Sequence, residues 1–380
     1  MKLETLTIHT GNHGEPTTGA VIPPIILSTT FERSEDGSFV EGRDIYARAS
    51  NPNRRMLEEK LAALEGGEEA ITFSSGQAAT MSVFHTLGSG SHVILPDDIY
   101  YGTRYMIESL YEIWGLSYTA VDMTDINQIK KAIQKNTKLI WIETPSNPSL
   151  KVTDIQGVVK LAQTKKILVA CDNTWSTPYF TKPLDWGVDI VMHSTTKYFG
   201  GHSDILGGCI ILNKTTPELQ NIAAKIRTFQ TVGGVIPSPF DCWLLFRSLA
   251  TFAVRMPVHA QNAMKLATFL EKYPQIEKVN YPGLKSNASY RIAKKQMQNG
   301  FGGMMSILVK GGQEGAMKLA SGLKIVKHAT SLGGVETLIE HRKSAEGAHS
   351  VSPENLLRIS VGIENIDDLI EDFKQALEKI

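Results

Sequence analysis

The sequence predicts an α/β fold with a mainly parallel central sheet, and three observations carry that expectation. Short apolar runs alternate with helical patterns through the middle of the chain, as expected where strands are joined by helices that cover both faces of a parallel sheet. At 380 residues the chain is longer than one ordinary core supports, so two domains are expected. A glycine- and proline-rich stretch, TVGGVIPSP (231–239), supplies the boundary.

Taken in order, residues 1–46 carry Gly, Pro and Thr with little periodicity, and GEPTTGAVIPPIILSTTF reads as an extended arm that leans on something else. Residues 47–240 form the large domain. Within it RRMLEEKLAAL (54–64) puts Met56, Leu57, Leu61 and Leu64 on one helical face. EGG closes that helix, because glycine accepts the left-handed conformation at a helix end. Then AITF precedes SSGQAATMSVFHTL, HVILP precedes YYGTRYMIESLYEIW, and LIWIE precedes IQGVVKLAQ; ILVACD and DIVMHS follow as further strands. Residues 241–380 form a smaller α/β domain, opened by a long helical stretch (240–273) and closed by the amphipathic helix DLIEDFKQALEKI.

Charge narrows the partners. Lys plus Arg and Asp plus Glu both number 39, which gives no electrostatic reason to expect nucleic acid or an anionic membrane. Cys171, Cys209 and Cys242 are odd in number and set among apolar neighbours. They read as buried hydrophobes in a reducing compartment and not as disulfides or zinc ligands. MKLETLTIHTGNHG is too polar for a signal peptide, and no apolar run reaches membrane-span length. A cytoplasmic protein without a structural metal is expected.

Four groups fall at the carboxyl ends of expected strands, where ligands gather in open parallel sheets. ITFSSGQAA turns from strand to helix, so it is either an ordinary Ser cap or a phosphate site made of free N–H groups. In ILVACDNTW, Asp172 either caps the next turn or faces a protonated ring nitrogen. In HSTTKYFGG, Lys197 either reaches solvent or is an inward amine ready to form an imine, with Ser194 and Thr196 beside it as hydrogen-bond donors. In LPDDIYYGTRY, Tyr101 either rims a core or stacks on a planar ring with its hydroxyl free for proton transfer, and Tyr100 competes for that role. An amine, an acid and an anion site together describe the needs of pyridoxal phosphate.

YARASNP (46–52), SSGQAA (74–79), YYGT (100–103), ETPSNP (143–148), DNTWSTPY (172–179), HSTTKYFGGHSD (193–204), SLGGVET (331–337) and LLRISVGIE (356–364) stand in order across nearly the whole chain. Together they resemble the cystathionine synthase and lyase family, pyridoxal-phosphate enzymes of cysteine and methionine metabolism. The resemblance implies an aspartate-aminotransferase-like, fold type I architecture and a homotetramer made of two tight dimers with shared active sites. It implies that Lys197 holds the cofactor covalently, that Asp172 meets the pyridine nitrogen and that Tyr101 stacks on the ring. Ser75, Gly76, Gln77, Ser194 and Thr196 would surround the phosphate, Thr174 would complete the cofactor shell, and Tyr46 and Arg48 would reach the phosphate from the neighbouring subunit. Asn147, Ser331 and Arg358 would line the substrate side, Arg358 forking onto an α-carboxylate.

Three positions depart from the family pattern. Gln77 stands where methionine or leucine is common, at a site where the backbone N–H does the work. Thr330 stands just before SLGG, where γ-acting members carry glutamate and bacterial β-lyases an aromatic. EHRKSAEGAHSVSPE (340–354) is shorter than the usual segment, which begins with a His-Pro or His-Ala pair and borders the substrate entrance. With Thr330 in place of glutamate, the expected activity is a carbon–sulfur lyase acting on cystathionine or a related sulfur amino acid by β- or γ-elimination. The alternative is γ-replacement on an O-acylhomoserine. Transamination, or a binding protein without catalysis, fits the motif set less well.

Overall fold

The computed structural model describes residues 1–347 and 350–380. Ala348 and His349, inside the 340–354 segment, lie outside the described residues. In chain order the strands are β1 Glu69–Phe73, β2 His92–Pro96, β3 Ser117–Val121, β4 Thr137–Glu143, β5 Leu168–Asp172, β6 Ile190–His193, β7 Gly208–Leu212, β8 Ile276–Asn280, β9 Met304–Val309, β10 Lys327–His328, β11 Leu338–His341 and β12 Leu356–Ser360. Two compact units divide them: Met1–Gly88 with Asp189–Ala253, and Ser89–Val188 with Val254–Ile380.

In the first unit the helix Pro52–Glu65 begins where the sequence asks for it. Asn51 accepts from the N–H groups of Asn53 and Arg54, Pro52 takes the first helical position, and Gly66 ends the helix at φ 83°. Leu57, Leu61 and Leu64 are buried on one face. Buried Glu58 then joins three elements: it accepts from the Thr72 N–H at 2.9 Å and pairs with Arg227 at 2.8 Å, and Arg227 also pairs with Glu69 at 2.8 Å. A fully satisfied network of this kind fixes one arrangement of its elements. Strand β7 runs antiparallel to β1 on one side and to β6 on the other.

The arm differs from the extended reading at its start. Leu3–His9 is helical. Its helicity comes from a tertiary contact, since the buried Lys60 ammonium donates to the Thr7 carbonyl at 2.8 Å and lies 3.6 Å from the centroid of the Phe246 ring. From Gly11 to Ser50 the described backbone has only isolated bridges, Glu15 with Ala20 and Thr30 with Tyr46. Val21, Ile22, Leu27 and Phe39 are exposed along it.

In the second unit β5, β4, β2 and β3 lie side by side, every neighbouring pair parallel. The register pairs Glu143 with Asp172, which places two carboxyl groups side by side at the carboxyl ends of neighbouring strands. Strands β10, β11, β12, β9 and β8 make a second sheet, antiparallel except for β10 with β11. Its core includes Leu266, Ile307 and Ile359, closed by the helix Ile366–Leu377 through Leu369, Phe373 and Leu377. Each such side chain contributes roughly 1.5–3 kcal/mol on burial.

Two expected helices are broken. The stretch 100–114 is the helix Tyr101–Met106, a π-helical turn Ile107–Tyr111 and a 3₁₀ turn Glu112–Trp114, ended by Gly115 at φ 74°. The stretch 240–273 is two helices, Pro239–Leu249 and Phe252–Leu270. Between them the chain tightens, the N–H groups of Ala250 and Thr251 bonding the carbonyls of Arg247 and Ser248. No helix of the described residues is long and apolar enough to cross a membrane.

Candidate active site

Strand β1 ends at Phe73, and Ser75 caps the helix Gly76–Thr86 by accepting from the Ala78 N–H at 3.1 Å. The first intrahelical bond is Ala79 N–H to the Ser75 carbonyl, so the N–H groups of Gly76 and Gln77 stand at the open head of the helix. That head is the place for an anion. A side chain at position 76 would crowd Ser194, because a Cβ there would lie 2.8 Å from both its Cβ and its Oγ. Gly208 is equally confined, its Cβ position 2.4 Å from the Ser75 carbonyl oxygen. Side-chain-free backbone, a serine hydroxyl and a helix start thus meet in one small cradle of the first unit.

The turn after β6 carries Lys197. His193, the last residue of β6, is buried, its Nε2 2.8 Å from the Glu65 carboxylate, and its ring lies 4.6 Å from that of Phe199. The Lys197 N–H donates to the Ser194 carbonyl at 3.2 Å, and the Lys197 carbonyl accepts from Gly201 at 2.7 Å. The Thr196 hydroxyl accepts from the Gly207 N–H at 3.0 Å and lies 3.2 Å from the Gly207 carbonyl, closing the 194–207 loop on itself. With Tyr198 and Phe199 buried on one side, the half-buried lysine stands on a tied-down turn. It does not wander in a surface loop.

Tyr46 and Arg48 lie on the exposed part of the arm. Arg48 donates to the Thr231 carbonyl at 2.8 Å, near the end of the helix Pro217–Gly233, and its guanidinium carbon is 5.6 Å from the centroid of the Tyr46 ring.

In the second unit Asp172 ends β5 and accepts the Thr174 N–H at 3.0 Å, so the capping interaction is present and orients the carboxylate. Beside it Glu143, buried, accepts the Tyr100 N–H at 2.9 Å. Burial, and then the neighbouring Asp172 charge, push the Glu143 pKa well above the usual value. Tyr101 heads the helix Tyr101–Met106 and stacks on Tyr105, centroids 5.5 Å apart. The Tyr100 phenol is raised by desolvation and sits in the field of Arg342, Glu143, Arg358 and Glu340.

Arg358, Asn147 and Ser331 form one hydrogen-bonded group. Arg358 donates to Asn147 Oδ1 and to the Ser331 carbonyl, each at 3.2 Å. Ser331 holds φ at 115°, a conformation rare outside glycine, at the point where its carbonyl meets the guanidinium. Burial, and next the charge of Arg342, bring the Arg358 pKa down to about 10. The group contains a further member: the Glu340 carboxylate accepts from Arg358 at 2.5 Å and from Arg342 at 2.6 Å. Against its burial, the Arg358 and Arg342 charges beside it hold the Glu340 carboxyl below the usual range.

Sequence reading gave no role to Glu143, Glu340 or Arg342. Glu143 carries the same signal as Asp172, an acid closing an apolar run (LIWIE), and was legible. Glu340 and Arg342 were visible only as part of a segment that departs from the family pattern.

Pyridoxal phosphate is the cofactor that asks for a lysine amine, an acid for a ring nitrogen and anion donors together, and the match to a family of such enzymes makes this a pyridoxal-phosphate-dependent α/β enzyme. The family described as Cys/Met metabolism PLP-dependent enzyme matches residues 4–378, and the chain belongs to it. A cystathionine gamma-lyase of Dictyostelium discoideum is 42% identical over 386 residues, covering 100% of this chain and 98% of the relative. A cystathionine gamma-synthase of Mycobacterium tuberculosis is 42% identical over 379 residues, covering 98% and 96%. The crystal structure of metB from Corynebacterium glutamicum superposes with a TM-score of 0.95 at 42% identity, over 100% of this chain and 98% of that one. The fold is therefore the fold type I architecture that the motifs implied, and the cofactor is pyridoxal 5′-phosphate.

Proposed function

We propose that this enzyme is a carbon–sulfur lyase that cleaves cystathionine or a related sulfur amino acid by β- or γ-elimination. The observation that carries the substrate class is the buried Arg358 fork, held by Asn147 and Ser331. A fixed guanidinium with donors in a plane suits an amino-acid carboxylate. Thr330 supports elimination over γ-replacement, because a neutral hydroxyl stands where γ-acting members of the family carry glutamate.

Ser75, Gly76, Gln77, Ser194 and Thr196 would hold the cofactor's phosphate, with Thr174 in the same shell. Lys197 would hold the aldehyde carbon, and Asp172 the ring nitrogen. When bound, the cofactor supplies an electron sink for the pair left at the substrate's α-carbon. Lys197 Nζ carries the α-proton, its position set by the tied turn. Tyr101, whose ring would cover the cofactor's, moves a proton toward the departing sulfur. Arg358 fixes the substrate's carboxylate and so limits how the α-carbon can turn.

The exposed arm supports a homotetramer built from two dimers. Val21, Ile22, Leu27 and Phe39 present apolar surface, and Tyr46 and Arg48 would serve the phosphate of a neighbouring subunit. Three buried free cysteines suit a reducing, cytoplasmic setting.

Incubation with cystathionine tests the reading. Pyruvate with homocysteine marks β-cleavage, and 2-oxobutyrate with cysteine marks γ-cleavage. A second reading, γ-replacement on an O-acylhomoserine, is favoured by the gamma-synthase relative, and cystathionine made from cysteine and such an ester would promote it. Amino transfer that depends on a keto acid and turns over fully would overturn both.

A further inference from the structure

Glu340 on β11 and Arg358 on β12 are direct cross-strand partners, so the antiparallel register itself sets carboxylate against guanidinium. The contact is buried, the two side chains 5% and 4% exposed. An amino-acid carboxylate that comes to Arg358 therefore meets an internal carboxylate already bonded there. Two carboxylates on one buried guanidinium repel, and either one stripped of its partner is costly. The structure supplies a second cation for the displaced acid. Arg342, 5% exposed, bonds the same Oε2 of Glu340 at 2.6 Å while its other nitrogen holds Glu346 at 2.6 Å. Glu346 in turn accepts from the hydroxyls of Ser350 at 2.6 Å and Ser352 at 2.9 Å, which fixes the far side of the network.

We propose that Glu340 is an internal counter-carboxylate for Arg358, and that Arg342 is a positioning residue that keeps Glu340 neutralised when Arg358 turns to a substrate carboxylate. This deepens the substrate reading given above and rests on it. It follows that substrate affinity is set by a three-way competition: Glu340 weakens the grip of Arg358 on an incoming acid, and Arg342 limits that weakening.

The test is titration calorimetry on the holoenzyme with L-alanine and with L-alaninamide, which lacks the carboxylate. Arg342→Leu should weaken L-alanine about tenfold and leave L-alaninamide unchanged. Adding Glu340→Gln to that variant should restore L-alanine binding. Unchanged L-alanine affinity, equal loss for both ligands, or no restoration by the second substitution each overturns the proposal. Should Arg342→Leu fail to fold, Glu340→Gln alone decides: tighter L-alanine binding supports the competition, and unchanged or weaker binding overturns it. Arg358→Ala separates the underlying reading, since an enzyme that still prefers L-alanine over L-alaninamide without Arg358 holds its carboxylate elsewhere. Loss of that preference together with silent Glu340 and Arg342 variants overturns the handover alone.

Discussion

Glu143 and Asp172 stand opposite each other in register at the carboxyl ends of neighbouring parallel strands, and Glu143 is the more deeply buried of the two. Burial, and next the charge of Asp172, drive Glu143 toward its neutral form. The unfolded chain loses the Glu143 proton near pH 4.5, whereas the folded chain keeps it to higher pH. Its contribution to stability therefore falls as pH rises above 4.5. Glu143→Gln keeps an acceptor for the Tyr100 N–H and removes the titration. It should unfold at higher denaturant concentration than the parent at pH 7 and match it near pH 4. A gap of constant size across that range would mean that Glu143 titrates in the fold as it does in the unfolded chain.

Gly76→Ala puts a methyl group 2.8 Å from Ser194 Cβ and Oγ. Overpacking of this kind costs about 1–3 kcal/mol, and it falls on the proposed phosphate cradle. The variant should lose cofactor on dialysis faster than the parent, followed by its absorbance. Retention equal to the parent's would place the phosphate elsewhere.

Arg358→Ala removes the partner of a substrate carboxylate but leaves Glu340 paired with Arg342. Substrate binding should weaken by roughly 2–5 kcal/mol, with folding largely intact by circular dichroism. Unaltered affinity would remove Arg358 from the substrate side.

Arg48 and Lys197 belong to the same compact unit, yet the shared-site proposal has them serve different active sites. Arg48→Ala and Lys197→Ala chains, each weak alone, should regain activity when refolded together as mixed oligomers. Failure of every mixing ratio to recover turnover would confine each site to one chain.

Borohydride reduction of the holoenzyme followed by peptide mapping should place the cofactor label on Lys197. A label on another lysine, or none, would undo the mechanism.

Much of this was legible because strand ends advertise themselves. An apolar run closed by Asp172, or leading into Ser194–Lys197, needs no tertiary knowledge to be placed at a strand's carboxyl end. The helix Pro52–Glu65 was likewise announced by its apolar face and its closing glycine. The helix Leu3–His9 was not, because its seven residues have too few apolar positions for a period and depend on Lys60, far along the chain. The break at Ala250–Thr251 lacks a Gly or Pro to signal it, and rests on backbone bonds alone. The pairing of Glu340 with Arg358 depends on the register of β11 with β12, which local pattern does not specify.

The double tie of Thr196 to Gly207 has a kinetic corollary. Because folding alone shapes the lysine turn, little conformational freedom remains to be surrendered when the vitamin-derived aldehyde docks. Apo-protein should consequently capture it at a pace governed by collision and covalent bond formation, with no slow loop-settling phase afterwards.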